Sequence, residues 1–321
     1  MKFKAVAGHG GALLGLVLAG AVLGSARLGE YSLNLIFVLC LYVILSQSWN
    51  ILGGYCGQVN LGLAAFFGTG AFVCRYLWTS GHSIYLALGG GGVAALVLAC
   101  IIGGAALRLR AHYFAIGTLG LAMIALITVQ STFPGVDFLP PDLLSGYSAI
   151  PRCLIALTVA FLTTELVYFL AHSKLGLAMR CVREDEEAAL AVGINVVRCK
   201  IIAAGMSTFL AGLAGGLFAF YNVSFYYYAP FELGWSFDPV LIVFIGGAGT
   251  VFGPVVGALC YVLLKELFAL SLGQVNVLIF GIAFIGIVLF LPEGLMSLAQ
   301  RLHPRSRASK RRAVLERSPG G

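Results

Sequence analysis

Hydrophobic runs of membrane-crossing length cover almost all of this 321-residue chain, and one long polar stretch, 173–200, interrupts them. A helix crossing a hydrocarbon core about 30 Å thick needs about 20 predominantly apolar residues. Runs of that order occupy 33–52, 57–78, 84–107, 113–129, 150–171, 201–220, 239–268 and 275–291. Only 10% of the chain is charged, against about 25% in soluble domains. The chain therefore reads as an all-α polytopic membrane protein.

Lys2 and Lys4 precede a further apolar run, 10–24, which Ser25-Ala26-Arg27 follows. Its length and the small residues after it suit a signal-peptide core. A retained first helix is the preferred reading, because a polytopic chain does not need a cleaved signal. The formal charge of +7 is read as orientation and not as a nucleic-acid footprint, because the excess is unevenly spread. If the N-terminus, the turn at Arg108 and Arg110, the polar stretch and the C-terminal tail all face the cytoplasm, they hold all of the 20 Lys and Arg except Arg27, Arg75, Arg152 and Lys265. The run at 239–268 must then cross twice with a turn at Gly249, or dip in and return, and eight to ten crossings result. Residues 1–300 form a transmembrane domain on this reading. Residues 301–321 form a basic cytoplasmic tail, expected to be disordered and to touch anionic lipid headgroups.

The polar stretch has a helical pattern. Arg180 and Glu184, then Arg183 and Glu187, stand four apart as opposite charges, which predicts supporting ion pairs on one face. Asp185 belongs to the acidic centre, and Gly193 follows Val192 where a left-handed cap belongs. Two readings remain open: a solvated loop, or a docking helix for a soluble partner.

Glycines interrupt two of the hydrophobic segments, at 57–70 and at 245–254. Backbone leaves a helix within a membrane where protein or a water-filled cavity satisfies it, and paired interruptions point to a translocation pathway. The opposing reading is close packing, since Gly212 to Gly216 and Gly253 to Gly257 are GxxxG spacings. Gln58 and Asn60 favour the pathway, because apolar packing does not require amides. Ionisable groups within spans are few: Glu165, Asp238, and the adjacent Lys265 and Glu266, which point in different directions on a helix. No register of acids and histidines suggests a proton relay. There is no GxxxxGK[ST] loop for ATP. Neither the five scattered histidines nor the eight singly placed cysteines have metal-site spacing.

Several of these blocks together resemble the membrane permeases of branched-chain amino-acid ABC transporters, the LivM type. The resemblance rests on Gly53-Gly54-Tyr55-Cys56-Gly57-Gln58-Val59-Asn60-Leu61-Gly62 and Ala64-Ala65-Phe66-Phe67-Gly68-Thr69-Gly70-Ala71. It continues in Tyr113-Phe114-Ala115-Ile116-Gly117-Thr118-Leu119, Arg183-Glu184-Asp185-Glu186 with Gly193-Ile194-Asn195, and Ser236-Phe237-Asp238. Gly246-Gly247-Ala248-Gly249-Thr250, Gly253-Pro254-Val255-Val256-Gly257 and Leu291-Pro292-Glu293-Gly294-Leu295 complete it. The family resemblance implies an ABC importer permease architecture without catalytic residues. It implies a second homologous permease subunit, two cytoplasmic ATPases that bind ATP and Mg, a soluble binding protein at the outer face, and a bacterial inner-membrane location. No cofactor is expected on this chain itself. Arg180, Arg183, Glu184, Asp185, Glu187 and Gly193 are the expected ATPase-coupling residues. Gln58, Asn60, Gly62, Phe66, Phe67, Thr118, Asp238, Gly246, Gly247 and Gly249 are the expected pathway residues.

The sequence departs from the family in places. Leu63 stands where His is frequent, and Glu293 where a base is frequent. The outer loop 133–142 lacks the usual Thr-Gly-Gly-rich sequence, and Tyr226-Tyr227-Tyr228 makes the other outer loop unusually aromatic. Those loops leave room for urea, short amides or another small organic solute as cargo. An ion-coupled secondary transporter and a purely structural membrane subunit are the rival classes.

Overall fold

The computed structural model describes residues 29–106, 111–272 and 295. The run at 10–24, Arg108 and Arg110, the run at 275–291, residues 291–294 and the basic tail lie outside the described residues. Helix α1 (Glu30–Trp49) continues directly into a π-helical turn, Asn50–Tyr55. The chain folds back into α2 (Leu63–Thr79), then α3 (Ile84–Ala106) and α4 (Ala111–Thr132). A short α5 (Pro141–Leu144) leads to α6 (Ala149–His172). The polar stretch gives α7 (Lys174–Glu184) and α8 (Glu186–Ala191), followed by α9 (Val196–Tyr221). Helices α10 (Gly234–Gly246) and α11 (Gly253–Leu272) complete the described chain. Among the described residues, five helices are long and apolar enough to cross a membrane.

Burial separates the axial helix from the peripheral ones. In the most apolar part of α1 with its π turn, 78% of residues are buried, against 17% in α4. The sequence of α1 has no polar face, as expected of a helix enclosed on all sides. It packs against α6, α9, α10 and α11, while α9 lies against α2 and α3. Small residues allow those approaches: a Cβ at Gly70 would fall 2.2 Å from the Gly212 carbonyl oxygen, and one at Gly215 would fall 1.9 Å from that of Phe67. Side chains at these points would push the helix backbones apart. Gly68 and Gly70 thus sit inside a continuous helix, and the first interruption is confined to the loop before Leu63.

Two ends of the bundle are distinct. At one, α7 and α8 pack beside the π turn and the α10–α11 turn. At the other, β1 (Val136–Phe138) and β2 (Ser224–Tyr226) form an antiparallel ribbon with Asp137 opposite Phe225, a small addition to the all-α expectation. Arg75 ties that ribbon to α2. Its Nε donates to Asp137 Oδ2 at 2.7 Å, and its other nitrogens reach the carbonyls of Asp137, Asn222 and Val223. Arg152 lies near it, stacked on Tyr147 at 4.0 Å and Phe220 at 4.4 Å, and donates to the Phe220 carbonyl. Tyr227 packs there against Phe72 and Phe133. Burial pushes its hydroxyl pKa up; Asp137 adds to the shift and Arg75 opposes it.

Candidate functional site

At the Arg183 end, the two glycine-interrupted segments meet on a polar patch of α1. The run Ser46-Gln47-Ser48-Trp49-Asn50 is fully enclosed, although it lies in an otherwise apolar span. Asn50 Nδ2 donates to the Thr250 carbonyl at 2.9 Å, and its Oδ1 accepts from the Gly249 N–H at 2.8 Å. Gln47 Nε2 donates to the Val251 carbonyl at 2.7 Å. These bonds satisfy the backbone of the α10–α11 turn, which the helices themselves leave open. The fit depends on two glycines. A Cβ on Gly54 would lie 2.0 Å from Asn50 Oδ1 and 2.6 Å from the Gly249 nitrogen, and Gly249 has φ +74°.

The polar stretch reaches the same junction. Arg183 Nη1 donates to the Gly54 carbonyl at 2.6 Å, while the residue as a whole is exposed. Arg180 donates to the Ala171 carbonyl at 2.9 Å and lies over the Tyr55 ring. Neither expected i,i+4 ion pair is formed: Arg180 is taken up by the Ala171 carbonyl and the Tyr55 ring, and between Arg183 and Glu187 the helix breaks at Asp185, whose φ of −158° is extended. Asp185 instead caps α8, accepting from the Glu187 and Ala188 N–H groups. A side chain that satisfies two orphan donors stabilises a new helix start more than one continued turn would. Glu184 and Glu187 are exposed. Glu186, outside the expected coupling set, pairs with Lys200 at 2.7 Å and fastens α8 to α9. Gly193 has φ +82° and closes α8, with the Ile194 N–H bonded to the Ala189 carbonyl and the Gly193 N–H to that of Leu190, a Schellman arrangement. Leu177, Leu190 and Val192 remain exposed on this unit, while Met179, Val182 and Ala189 are buried.

The expected pathway residues do not come together in one site. Asn60, Phe66 and Thr118 line one small cavity with Leu52, Phe114 and Thr208. Its volume is about 30 Å³, room for about two waters. Asn60 Oδ1 accepts from the Gly62 N–H, and Thr118 Oγ1 accepts from the Leu61 N–H. The loop before α2 is thereby fixed to α4. Phe67 lies elsewhere, stacked on Trp235 at 4.6 Å. Gln58 is buried, and its Oε1 has no hydrogen-bond partner among the described residues; the same holds for Gln47 Oε1 and the Tyr55 hydroxyl. Gly246 and Gly247 belong to the α10–α11 turn, where a Cβ on Gly246 would meet the Gly253 carbonyl oxygen at 1.8 Å. Both interruptions are therefore at the Arg183 end and not midway along the bundle.

Asp238 lies apart from the cavity and the turn, in the first turns of α10. Tyr42 donates its hydroxyl to Asp238 Oδ2 at 2.8 Å and accepts from Lys265 Nζ at 3.1 Å, and Lys265 stands 3.6 Å from the same carboxylate. Glu266 points elsewhere and accepts from the Tyr31 hydroxyl, so the two adjacent charges of α11 diverge as expected. Gln47, Asn50 and Tyr42 were not singled out from the sequence, and Arg75 was noted only as lying outside the positive-inside pattern. For Gln47 and Asn50 the signal was present, as polar side chains in an apolar run.

A profile of the family described as "Branched-chain amino acid transport system / permease component" matches residues 31–291. The high-affinity branched-chain amino acid transport system permease protein LivM of Salmonella typhimurium is 26% identical over 84% of this chain and 71% of its own length. The Escherichia coli protein of the same description is 27% identical over 81% of this chain and 68% of its own. The probable branched-chain amino acid transport permease protein LivM of Methanocaldococcus jannaschii is 26% identical over 80% of this chain and 90% of its own. No solved structure matches. With its apolar helices and a match over most of its length, the chain is a multi-pass membrane protein that belongs to the branched-chain amino acid transport permease family.

Proposed function

We propose that this chain is the membrane-spanning subunit of an ATP-driven importer of branched-chain amino acids in the bacterial inner membrane. The observation that carries the reading is the contact of Arg183 with Gly54. An exposed helical unit reaches, through one guanidinium, the junction where both glycine interruptions meet. In the proposed mechanism two cytoplasmic ATPases, which hold ATP and Mg, grip α7 and α8 by Leu177, Leu190, Val192 and the exposed acids. Their closure moves Arg183 and with it the Gly54–Gly249 junction. That motion rocks this subunit against a second homologous permease, while a soluble binding protein delivers cargo at the Arg75 end. Gln58, buried with an unpaired carbonyl in the present arrangement, is suited to a second state in which that group is bonded, since an unmet buried acceptor costs about 1–3 kcal/mol.

The antiparallel α10–α11 hairpin supports two crossings for 239–268. With the runs outside the described residues this makes ten crossings and a cytoplasmic tail. The test is uptake by the complete reconstituted assembly, with labelled leucine, isoleucine, valine and urea, with and without ATP. ATP-dependent uptake of an aliphatic amino acid is expected. Uptake of urea alone overturns the cargo, and ion-driven uptake by this chain alone overturns the machine.

A further inference from the structure

The group formed by Tyr42, Asp238 and Lys265 has no part in the junction just described. It lies midway along the bundle. The helix Glu30–Tyr55 has 26 residues and is about 39 Å long at 1.5 Å per residue, which puts Tyr42 about 18 Å along it, near the middle of a bilayer. Tyr42 is 3% exposed, the Asp238 side chain 18% and the Lys265 side chain 55%. An open lysine side chain at that depth is costly against lipid, and polar surroundings lower the cost: Asp238 and the Tyr42 hydroxyl in this structure, and water or a polar occupant beside them.

The geometry of α11 agrees. Its exposed apolar stripe runs through Leu259, Leu263 and Leu267. Lys265 lies about 200° round the helix from Leu263 and from Leu267, at 3.6 residues per turn. It shares the side of Tyr261, which is 2% exposed. Lys265 therefore lies on the side of α11 that meets α1, where it reaches Tyr42, and not on the exposed apolar stripe.

The chemistry of the group is paired. A carboxylate and an ammonium stand 3.6 Å apart, longer than the 2.8 Å bond from Tyr42 to Asp238. The ammonium also lies 5.4 Å and 5.5 Å from the ring centroids of Tyr42 and Tyr261. Trp235 packs 5.8 Å from Tyr42 and extends the aromatic wall. The geometry points to a mid-membrane way-station for the zwitterionic head of an α-amino acid, formed by Asp238, Lys265 and Tyr42. The cargo's ammonium takes the place of Lys265 Nζ, between Asp238 and the aromatic rings. The displaced Lys265, with the Tyr42 hydroxyl, then receives the cargo's carboxylate, and the aromatic wall lies beside the aliphatic side chain. A neutral solute such as urea has no charge with which to open the Asp238–Lys265 pair, so the site selects for amino acids. This inference rests on the importer reading above and adds to it a place and a class of cargo recognition.

The test is Lys265→Cys in the complete reconstituted assembly, with leucine uptake read before and after thiol modification. Lys265 is half open, so its replacement leaves the packed core intact, and Asp238→Asn serves as a second, nearly isosteric variant. Each variant is expected to lower ATP-dependent leucine uptake at least tenfold. ATP hydrolysis stimulated by the loaded binding protein should stay within twofold of the unmodified assembly. A cationic aminoethyl methanethiosulfonate should restore uptake by Lys265→Cys to within about threefold, while a neutral reagent of similar size should not; the unmodified assembly treated identically controls for the native cysteines. Undiminished uptake by either variant overturns the inference, as does equal rescue by both reagents or failure of the Lys265→Cys chain to assemble. If the unmodified assembly itself takes up no leucine, it is the importer reading that fails.

Discussion

Replacing Asn50 by Leu removes the two bonds that join α1 to the α10–α11 turn and keeps a side chain of similar size. In the structure, Asn50 donates to the Thr250 carbonyl at 2.9 Å and accepts from the Gly249 N–H at 2.8 Å. Each such bond contributes about 1 kcal/mol net, and each partner left buried and unmet adds a penalty of about 1–3 kcal/mol. Because the turn can shift to recover part of that penalty, the expected loss is about 2–4 kcal/mol. An imbalance of that size changes an equilibrium between two arrangements of the junction by about 30-fold or more, at 1.4 kcal/mol per factor of ten. Asn50→Leu should therefore lower the melting temperature in detergent. It should also collapse the ratio of ATP hydrolysis with loaded binding protein to that without it towards one, and reduce leucine uptake at least tenfold. Asn50→Asp keeps an acceptor for the Gly249 N–H but turns an oxygen toward the Thr250 carbonyl, so it should not rescue. Normal uptake with a normal stimulation ratio in Asn50→Leu would refute the view that this junction transmits the motion.

Three further expectations concern the surrounding structure. Arg183→Glu should leave the assembly intact in pull-down but separate ATP hydrolysis from uptake, because the carboxylate repels the Gly54 carbonyl that Arg183 now binds; full, ATP-coupled uptake would contradict the coupling role. Asp185→Ala removes the acceptor for the Glu187 and Ala188 N–H groups, which costs about 0.5–2 kcal/mol; amide exchange should accelerate in 186–191, and unchanged exchange would argue that packing alone holds α8. Arg75→Met leaves Asp137 without its partner and should destabilise the ribbon end by about 3–5 kcal/mol, read as a lowered melting temperature. Arg75→Lys should recover little, because one ammonium cannot reach the five acceptors that the guanidinium fork now binds.

Local physics was legible in the sequence, and non-local pairing was not. The membrane-length runs, the left-handed cap at Gly193, the divergence of Lys265 from Glu266 and the turn at Gly249 all follow from period, glycine placement and length. The break at Asp185 was missed because the spacing of Arg183 and Glu187 also fits one continuous helix. The competing signal was Asp followed by two Glu, a helix start, and the cap prevailed. Contacts such as Asn50 with Thr250, Arg75 with Asp137 and Tyr42 with Asp238 join residues far apart in the chain. No local pattern records which polar group meets which. The sequence offers only the oddity of each alone: Arg75 stands outside the positive-inside pattern without a partner being indicated, and the Ser-Gln-Ser-Trp-Asn run inside an apolar span passed unremarked.

The most direct measurement is uptake of labelled leucine by vesicles containing this chain, its partner permease, the ATPases and the binding protein, with and without ATP inside. The account predicts uptake that requires both ATP and the binding protein. Leucine uptake by this chain alone, driven by an ion gradient and indifferent to ATP, would contradict it.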